Sequence, residues 1–465
     1  MAEAGSYDVV VLGGGPAGYA FAFRAALLGQ KVALVERDKV GGTCLHRGCI
    51  PTKALLHAAE VMDTIKDAGP LGIEVGEPTF DWAAVQKSKS EPIKKLYAGL
   101  QGVVKARKVD LIEGNGTLGD RGTVVVDSKE GSKQVSAPNV VLAPGSFARS
   151  IPGMDPDGER IITSDEALTS DRFPARIAII GAGAVGVEFA SVYRSFGAEV
   201  TVIEALDRAI PMEDADLSKE LAANFKRRGI TLHVGAKLED VDKSNDGVKL
   251  TVTKGNKTQD VDADVVLVAV GRGPATEGLD LERWKVGTDR GFIVIDGDNK
   301  AGDGVWAIGD ATAGTPQLAH VAFGMGFATA ERIVGGSPIP VDFERGVPRA
   351  IYCVPEVAAV GLTEAQAKEQ GYDVQVTKHN FAGIAKAQMM HQARGFSKLV
   401  TEKDGAILGI HMIGPRVTEL LAEALVTVGW EARPAEVAAF VHPHPTLSEV
   451  IGEAALEAIG RPLHG

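Results

Sequence analysis

The stretch YDVVVLGGGPAGYAFAFRAALLG, Tyr7 to Gly29, decides the architecture. An apolar run from Val9 to Leu12 leads into Gly13-x-Gly15-x-x-Gly18, and small and apolar residues then recur at helical spacing. A second apolar run, KVALVE, ends on Glu36, 18 residues after Gly18. Strand, tight glycine turn, helix and strand ending in an acid form the dinucleotide fingerprint. The glycines let backbone approach a pyrophosphate at the helix N-terminus, and the acid meets a ribose hydroxyl.

The same pattern returns in RIAIIGAGAVGVEFASVYRSFGAEVTVIEA, with Gly181-x-Gly183-x-x-Gly186 and a strand ending on Glu204, again 18 residues after the last glycine. The two fingerprints start 168 residues apart, too far to be halves of one nucleotide-binding sheet. Two dinucleotide-binding domains, and therefore two dinucleotides, are expected. An acid at the end of the second module's strand favours a free 2′-hydroxyl, hence NAD over NADP. Arg208, four residues later, leaves that choice open.

Further along, VWAIGDAT brings a strand into Gly309-Asp310, and GGSPIP after Val334 marks a linker. FSKLVTEKDGAILGIHMIG predicts two strands joined through Asp404-Gly405. Helical patterns follow in VTELLAEALVTVGWEA, PAEVAAFV and LSEVIGEAALEAI. The last third is thus an α+β unit unlike the two α/β modules.

Composition narrows the class. A chain of 465 residues exceeds one ordinary core, so several domains are expected. A net charge of −12 without a basic run argues against a nucleic-acid surface. The opening MAEAGSYDVVVLGGG lacks a basic n-region, and no apolar run approaches the roughly 18 residues of a membrane span, so neither a leader nor a membrane segment is expected. Three cysteines make no disulfide framework, yet two of them, Cys44 and Cys49, stand five residues apart in GGTCLHRGCIPTK.

Two fingerprints, C-x4-C after the first, AIGD, and HPHPTLSE near the C-terminus together resemble the pyridine-nucleotide–disulfide oxidoreductase flavoproteins. GGTCLHRGCIPTKALLHAAE, PRAIYCVPEVAAVGLTEAQA and HMIGPRVTELLAEA resemble the bacterial branch that oxidises dihydrolipoyl groups with NAD+. The resemblance runs from Tyr7 to His464. It implies two Rossmann-like domains, 1–150 for FAD and 151–273 for NAD, a central domain at 274–345 completing the FAD site, and an α+β dimerisation domain at 346–465. It further implies a cytoplasmic homodimer serving the lipoyl domain and core acyltransferase of a 2-oxoacid dehydrogenase complex.

The resemblance also assigns residues. Gly13, Gly15, Gly18, Glu36, Lys53, Gly145 and Asp310 are expected at FAD, and Gly181, Gly183, Gly186, Glu188, Glu204 and Gly271 at NAD. Cys44 and Cys49 become a redox-active disulfide, with Cys49 against the flavin and Cys44 meeting the substrate. An iron–sulfur reading would need four thiolates, and only Cys353 remains. Five residues of regular helix rise about 7.5 Å, beyond the usual Cα span of a disulfide of about 7 Å, so the segment must be distorted, which Gly48 permits. Lys53 is expected near the flavin with Glu188 as its acid. Thiol exchange needs a base. The resemblance selects His444, oriented by Glu449, in a site completed across the dimer. Thr446-x-x-Glu449 also reads as a capping box, so Glu449 carries two readings. His442 beside His444 lacks the further ligands of a metal site, and no metal is expected.

Departures from the family pattern are Pro144, Val354, the run Phe323-Gly324-Met325-Gly326, and NFAGIAKAQ around Ala382-Gly383. None removes a catalytic group; the Phe323–Gly326 change is expected to alter the flavin environment. Glutathione- or mycothione-type reductases and a non-catalytic FAD-holding subunit are the rival readings.

Overall fold

The computed structural model describes residues 6–244 and 246–464. Met1 to Gly5, which open the stretch read for a leader, lie outside them. The chain divides into two compact units, each with one fingerprint. The first unit gathers residues 1–54, 84–149 and 272–341, and the second 55–83, 150–271 and 342–465. Most of the expected central segment, 274–341, therefore falls with the first fingerprint, and 346–465 with the second.

In the first unit a six-stranded sheet runs in the order Lys300–Gly302, Val305–Ala307, Asn139–Leu142, Val9–Leu12, Val32–Glu36, Asp110–Glu113. All neighbours are parallel except the edge strand Lys300–Gly302. Its central strands are apolar apart from Glu36 and Asn139 at their ends, as a sheet covered on both faces requires. The helix Pro16–Leu27 follows the fingerprint and packs against the helix Ala319–Ile333. Gly326 makes that approach possible, since a Cβ there would lie 2.8 Å from both Ala17 O and Phe21 N.

The second unit holds a parallel five-stranded sheet in the order Ile230–Val234, Glu199–Glu204, Arg176–Ile180, Val265–Val268, Ile161–Ile162. It also holds an antiparallel five-stranded sheet in the order Arg349–Ile351, Glu356–Gly361, Ile407–Gly414, Phe396–Glu402, Val374–Asn380. Asp404, in the left-handed region at φ 57°, turns the expected hairpin. The three helical patterns appear as Val417–Gly429, Pro434–Ala438 and Glu449–Ala458. Their apolar faces close a core with the antiparallel sheet around Leu399, Ile410, Leu421 and Ile451. Among the described residues, no helix is long and apolar enough to cross a membrane.

Candidate active site

The fingerprints fold alike. Gly13 and Gly181 take left-handed φ of 106° and 103°, and Gly18 and Gly186 pack so tightly that a Cβ would lie 1.8 Å and 2.0 Å from the carbonyl oxygen of the first glycine. The middle glycines face outward: a Cβ on Gly15 would meet only Gly42 Cα at 3.9 Å, and one on Gly183 nothing within 4 Å. Neither following helix has a side-chain cap at its N-terminus, so the first-turn amides are turned to these openings. A diphosphate fits such a cradle, which offers N–H donors and the positive end of a helix dipole.

The acids close each cradle. Glu36 accepts from the Gly14 amide at 2.6 Å and the Asp38 amide at 2.8 Å. Glu204 accepts from Ala182 at 2.7 Å and Leu206 at 2.8 Å. Both carboxylates are thereby fixed beside the glycine loop, where a ribose would lie. Arg208 turns its guanidinium to the Pro211 carbonyl at 2.9 Å. Gly271 has a left-handed φ of 103° and open space around its Cα.

The two cysteines sit against the first cradle. The Gly41 amide donates to Gly14 O at 2.8 Å, tying the cysteine segment to the fingerprint. One helix, Gly42–Arg47, carries Cys44 and ends at Gly48; a second, Cys49–Lys66, begins at the other thiol. The expected distortion is this break. Cys44 and Cys49 are half-buried thiols hydrogen-bonded to one another. That bond, then burial and the charge of Cys49, push the Cys44 thiol up, Lys53 pulls it down, and Asp310 adds to the rise. Cys44, Cys49, Lys53 and Asp310 are therefore electrostatic neighbours within the first unit.

Asp310 is braced. Its Oδ2 accepts from the Ser146 hydroxyl at 2.6 Å, and Arg272 Nε donates to that Ser146 oxygen at 2.7 Å. Gly145, just before Ser146, adopts φ 76° in open space. Ser146 and Arg272 escaped the sequence reading because they lie 164 residues before Asp310 and 38 before it, with no local motif. Tyr19 escaped it too. Burial, followed by the charges of Cys44 and Cys49, raises its phenol to about 12. Phe323, one of the departures, packs its ring 5.8 Å from that of Tyr19.

In the second unit, Glu188 is buried and accepts from the Tyr352 amide at 2.9 Å. His444 lies in an irregular stretch after Phe440, with Nδ1 2.8 Å from Glu449 Oε1. Glu449 Oε2 accepts from the Thr446 amide at 2.9 Å. The capping box is only half formed, which corrects that reading: the Thr446 hydroxyl donates to Pro443 O at 2.7 Å, and Ser448 takes the N-cap position. Burial opposes ionisation of Glu449, yet the Thr446 amide and His444 hold its pKa below the usual carboxylate value. The carboxylate does both jobs at once, one oxygen for each. Among the described residues no cluster of His, Cys, Asp or Glu could hold a metal ion.

Residues 7–326 match the family model for pyridine nucleotide-disulphide oxidoreductases, and residues 347–455 match that family's dimerisation-domain model. A dihydrolipoyl dehydrogenase of Bacillus subtilis is 42% identical, covering 98% of this chain and 99% of its own. Dihydrolipoyl dehydrogenase 3 of Pseudomonas putida is 41% identical, covering 98% of each. Among solved structures, LpdA from Mycobacterium tuberculosis superposes with a TM-score of 0.89 at 28% identity, covering 97% of this chain and 99% of that one. A flavoprotein disulfide reductase, RclA from Escherichia coli, superposes with a TM-score of 0.86 at 26% identity, with the same coverage.

Proposed function

The chain belongs to the pyridine nucleotide-disulphide oxidoreductase family, and within it we propose that it is a dihydrolipoyl dehydrogenase: it oxidises protein-bound dihydrolipoyl groups and reduces NAD+. The observation that carries this reading is the hydrogen-bonded pair Cys44–Cys49, tethered through Gly41 to the first dinucleotide cradle. We assign FAD to the cradle of Gly13, Gly15, Gly18 and Glu36, with Gly145, Asp310 and Lys53 completing the site. NAD is assigned to Gly181, Gly183, Gly186 and Glu204, with Gly271 and Glu188. The pairing of Lys53 with Glu188 and the four-part division at 150, 273 and 345 belong to the same proposal.

The residues then divide the work. With the pair oxidised to a disulfide, His444 takes a proton from one dihydrolipoyl thiol, and the thiolate attacks Cys44 Sγ, breaking the Cys44–Cys49 bond and releasing Cys49 as thiolate. The second substrate thiol then displaces Cys44. One S–S bond forms in the lipoyl ring as the protein's own is broken, and two electrons rest on the dithiol. Bound FAD supplies the hydride chemistry that carries this electron pair to NAD+. Lys53 favours the thiolate form at Cys44, and Glu449 keeps His444 Nδ1 protonated and Nε2 available to the substrate.

The chain forms a homodimer, consistent with its dimerisation domain. We propose that His444 reaches the thiols of the partner copy, and that the dimer works in the cytoplasm on the lipoyl domain and core acyltransferase of a 2-oxoacid dehydrogenase complex. A steady-state comparison tests the reading: dihydrolipoamide with NAD+ against glutathione and mycothiol disulfides with NADPH. Rapid NADH formation with dihydrolipoamide is expected. Turnover confined to NADPH with another disulfide would overturn it, as would a monomer active in sedimentation-coupled assays for the shared site.

A further inference from the structure

A general base has to hold its place, yet within its own chain His444 stands on a stretch with few contacts to hold it. Of the six residues from Phe440 to Pro445, five are exposed, Val441 at 97%, and none lies in a helix or strand. The exception is His442. Its side chain is only 13% exposed, and Nε2 meets Glu423 Oε1 at 2.7 Å, from the helix Val417–Gly429. The ring packs on the helix Glu449–Ala458 at Gly452, where a Cβ would come within 2.5 Å of Nδ1 and 2.7 Å of Cε1. Any larger residue at 452 would force the imidazole to shift.

We propose that His442, gripped by Glu423 and seated on Gly452, is a positioning residue for His444: it pins the Val441–Pro443 main chain so that His444 stays on Glu449 with its other nitrogen free for the thiol. This rests on His444 acting as the base. Two helices thus hold His442 and His444 by a carboxylate each, one imidazole largely enclosed as an anchor and the other exposed for work.

The groups facing His442 are Glu423 on one helix, Glu449 on the other and the backbone of Phe440 in its own loop. The Glu423 hydrogen bond is the main cause of a pKa above the usual histidine value, against the opposing pull of burial. A raised value means the anchor is tightest in its protonated form and loosens as pH rises through that value.

The test uses holoenzyme variants Glu423→Gln, His442→Gln and the conservative Glu423→Asp. The ratio of the dihydrolipoamide–NAD+ rate to the NADH–ferricyanide rate separates thiol exchange from flavin turnover. It should fall about tenfold in kcat for the first two, the scale of a modest misplacement of a catalytic group, with the KM for NAD+ unchanged and partial recovery in Glu423→Asp. Imidazole resonances of 15N-histidine-labelled protein give a readout independent of turnover: Glu423→Gln should move the His444 resonances and weaken its Glu449-bonded proton signal. Unchanged His444 resonances overturn the proposal, whatever the rates do. An unchanged rate ratio in both Gln variants overturns it as well. Absence of dihydrolipoamide turnover in the unsubstituted protein would instead count against the functional reading, and the resonances would still decide the positioning role.

Discussion

The two dinucleotide modules are near copies up to the point where they return to their glycine loops, and different beyond it. In the first, Gly41 N donates to Gly14 O at 2.8 Å; in the second, Ile210 N donates to Ala182 O at 2.7 Å. Both residues are in the left-handed region, φ 108° and 41°. Glycine adopts this freely, while a β-branched residue does so only under constraint. After Gly41 the chain enters the broken helix that bears Cys44 and Cys49. After Ile210 it enters Glu213, Asp214 and Asp216, which meet Arg349, Lys398 and Lys378 on the antiparallel sheet of the second unit. The grip on a dinucleotide is generic; the segment inserted after the tether decides whether a module carries redox thiols or an anchoring clasp.

The strongest way to break the comparison is to remove the thiols. Cys44→Ser or Cys49→Ser should lower dihydrolipoamide turnover at least about a thousandfold, since neither exchange step has another nucleophile. Flavin absorbance should persist, because the cradle is untouched. Residual turnover within tenfold of the unsubstituted chain would show that the second module's chemistry, or some other group, had been misjudged. His444→Gln comes next, with an expected loss of about 10²–10⁴-fold in kcat, the range for general acid–base catalysis. Raising the pH should recover part of it, as the substrate dithiol ionises without help. No recovery up to pH 9 would argue against a proton-transfer role.

These sites were legible in the sequence to different degrees, for physical reasons. The glycines at 13, 18, 181 and 186 could be read because the turn tolerates nothing bulkier at fixed spacing, those at 15 and 183 because a side chain there would stand in the opening that faces a dinucleotide, and Glu36 and Glu204 because a strand's end fixes where they point. The cysteine pair was legible from five-residue spacing beside Gly48. Glu449 was ambiguous because cap and orienter both need an acid three residues after Thr446, and only coordinates reveal one oxygen assigned to each. Ser146, Arg272, Tyr19 and Glu423 were silent, since each acts through a partner distant in sequence or on the turn of a helix whose rotation no local pattern announces.

The clasp of the second module offers a pH test that the first module lacks. His411 lies fully buried on the strand Ile407–Gly414, hydrogen-bonded to Leu362 O at 2.8 Å, with Asp214, Arg349 and Lys398 close by. Burial is the main cause of a pKa lowered to about 4. In the unfolded chain the ordinary value is about 6.5, so between pH 6.5 and 4 the unfolded state binds the extra proton. Stability is therefore complete above 6.5 and falls as pH drops to about 4, by at most roughly 3 kcal/mol from this group. His411→Gln should flatten the Tm of the second unit across that window. An equally steep decline in the variant would assign the acid sensitivity elsewhere.

The finest test asks whether the paired acids are equivalent. Glu36 and Glu204 hold the same two kinds of amide at nearly the same distances, 2.6 and 2.8 Å against 2.7 and 2.8 Å. An amide in place of either carboxylate keeps one acceptor and turns a donor toward the second N–H. Losing a charge-assisted hydrogen bond costs about 1.5–3 kcal/mol, a factor of about ten or more in binding. Glu36→Gln should thus yield protein that loses FAD on dilution about tenfold more readily, with the KM for NAD+ unchanged in the fraction that retains it. Glu204→Gln should keep its flavin and show a KM for NAD+ about tenfold higher. If both substitutions weakened the same ligand, two like cradles would not mean two separate dinucleotides, and the assignment of FAD to one and NAD to the other would fall.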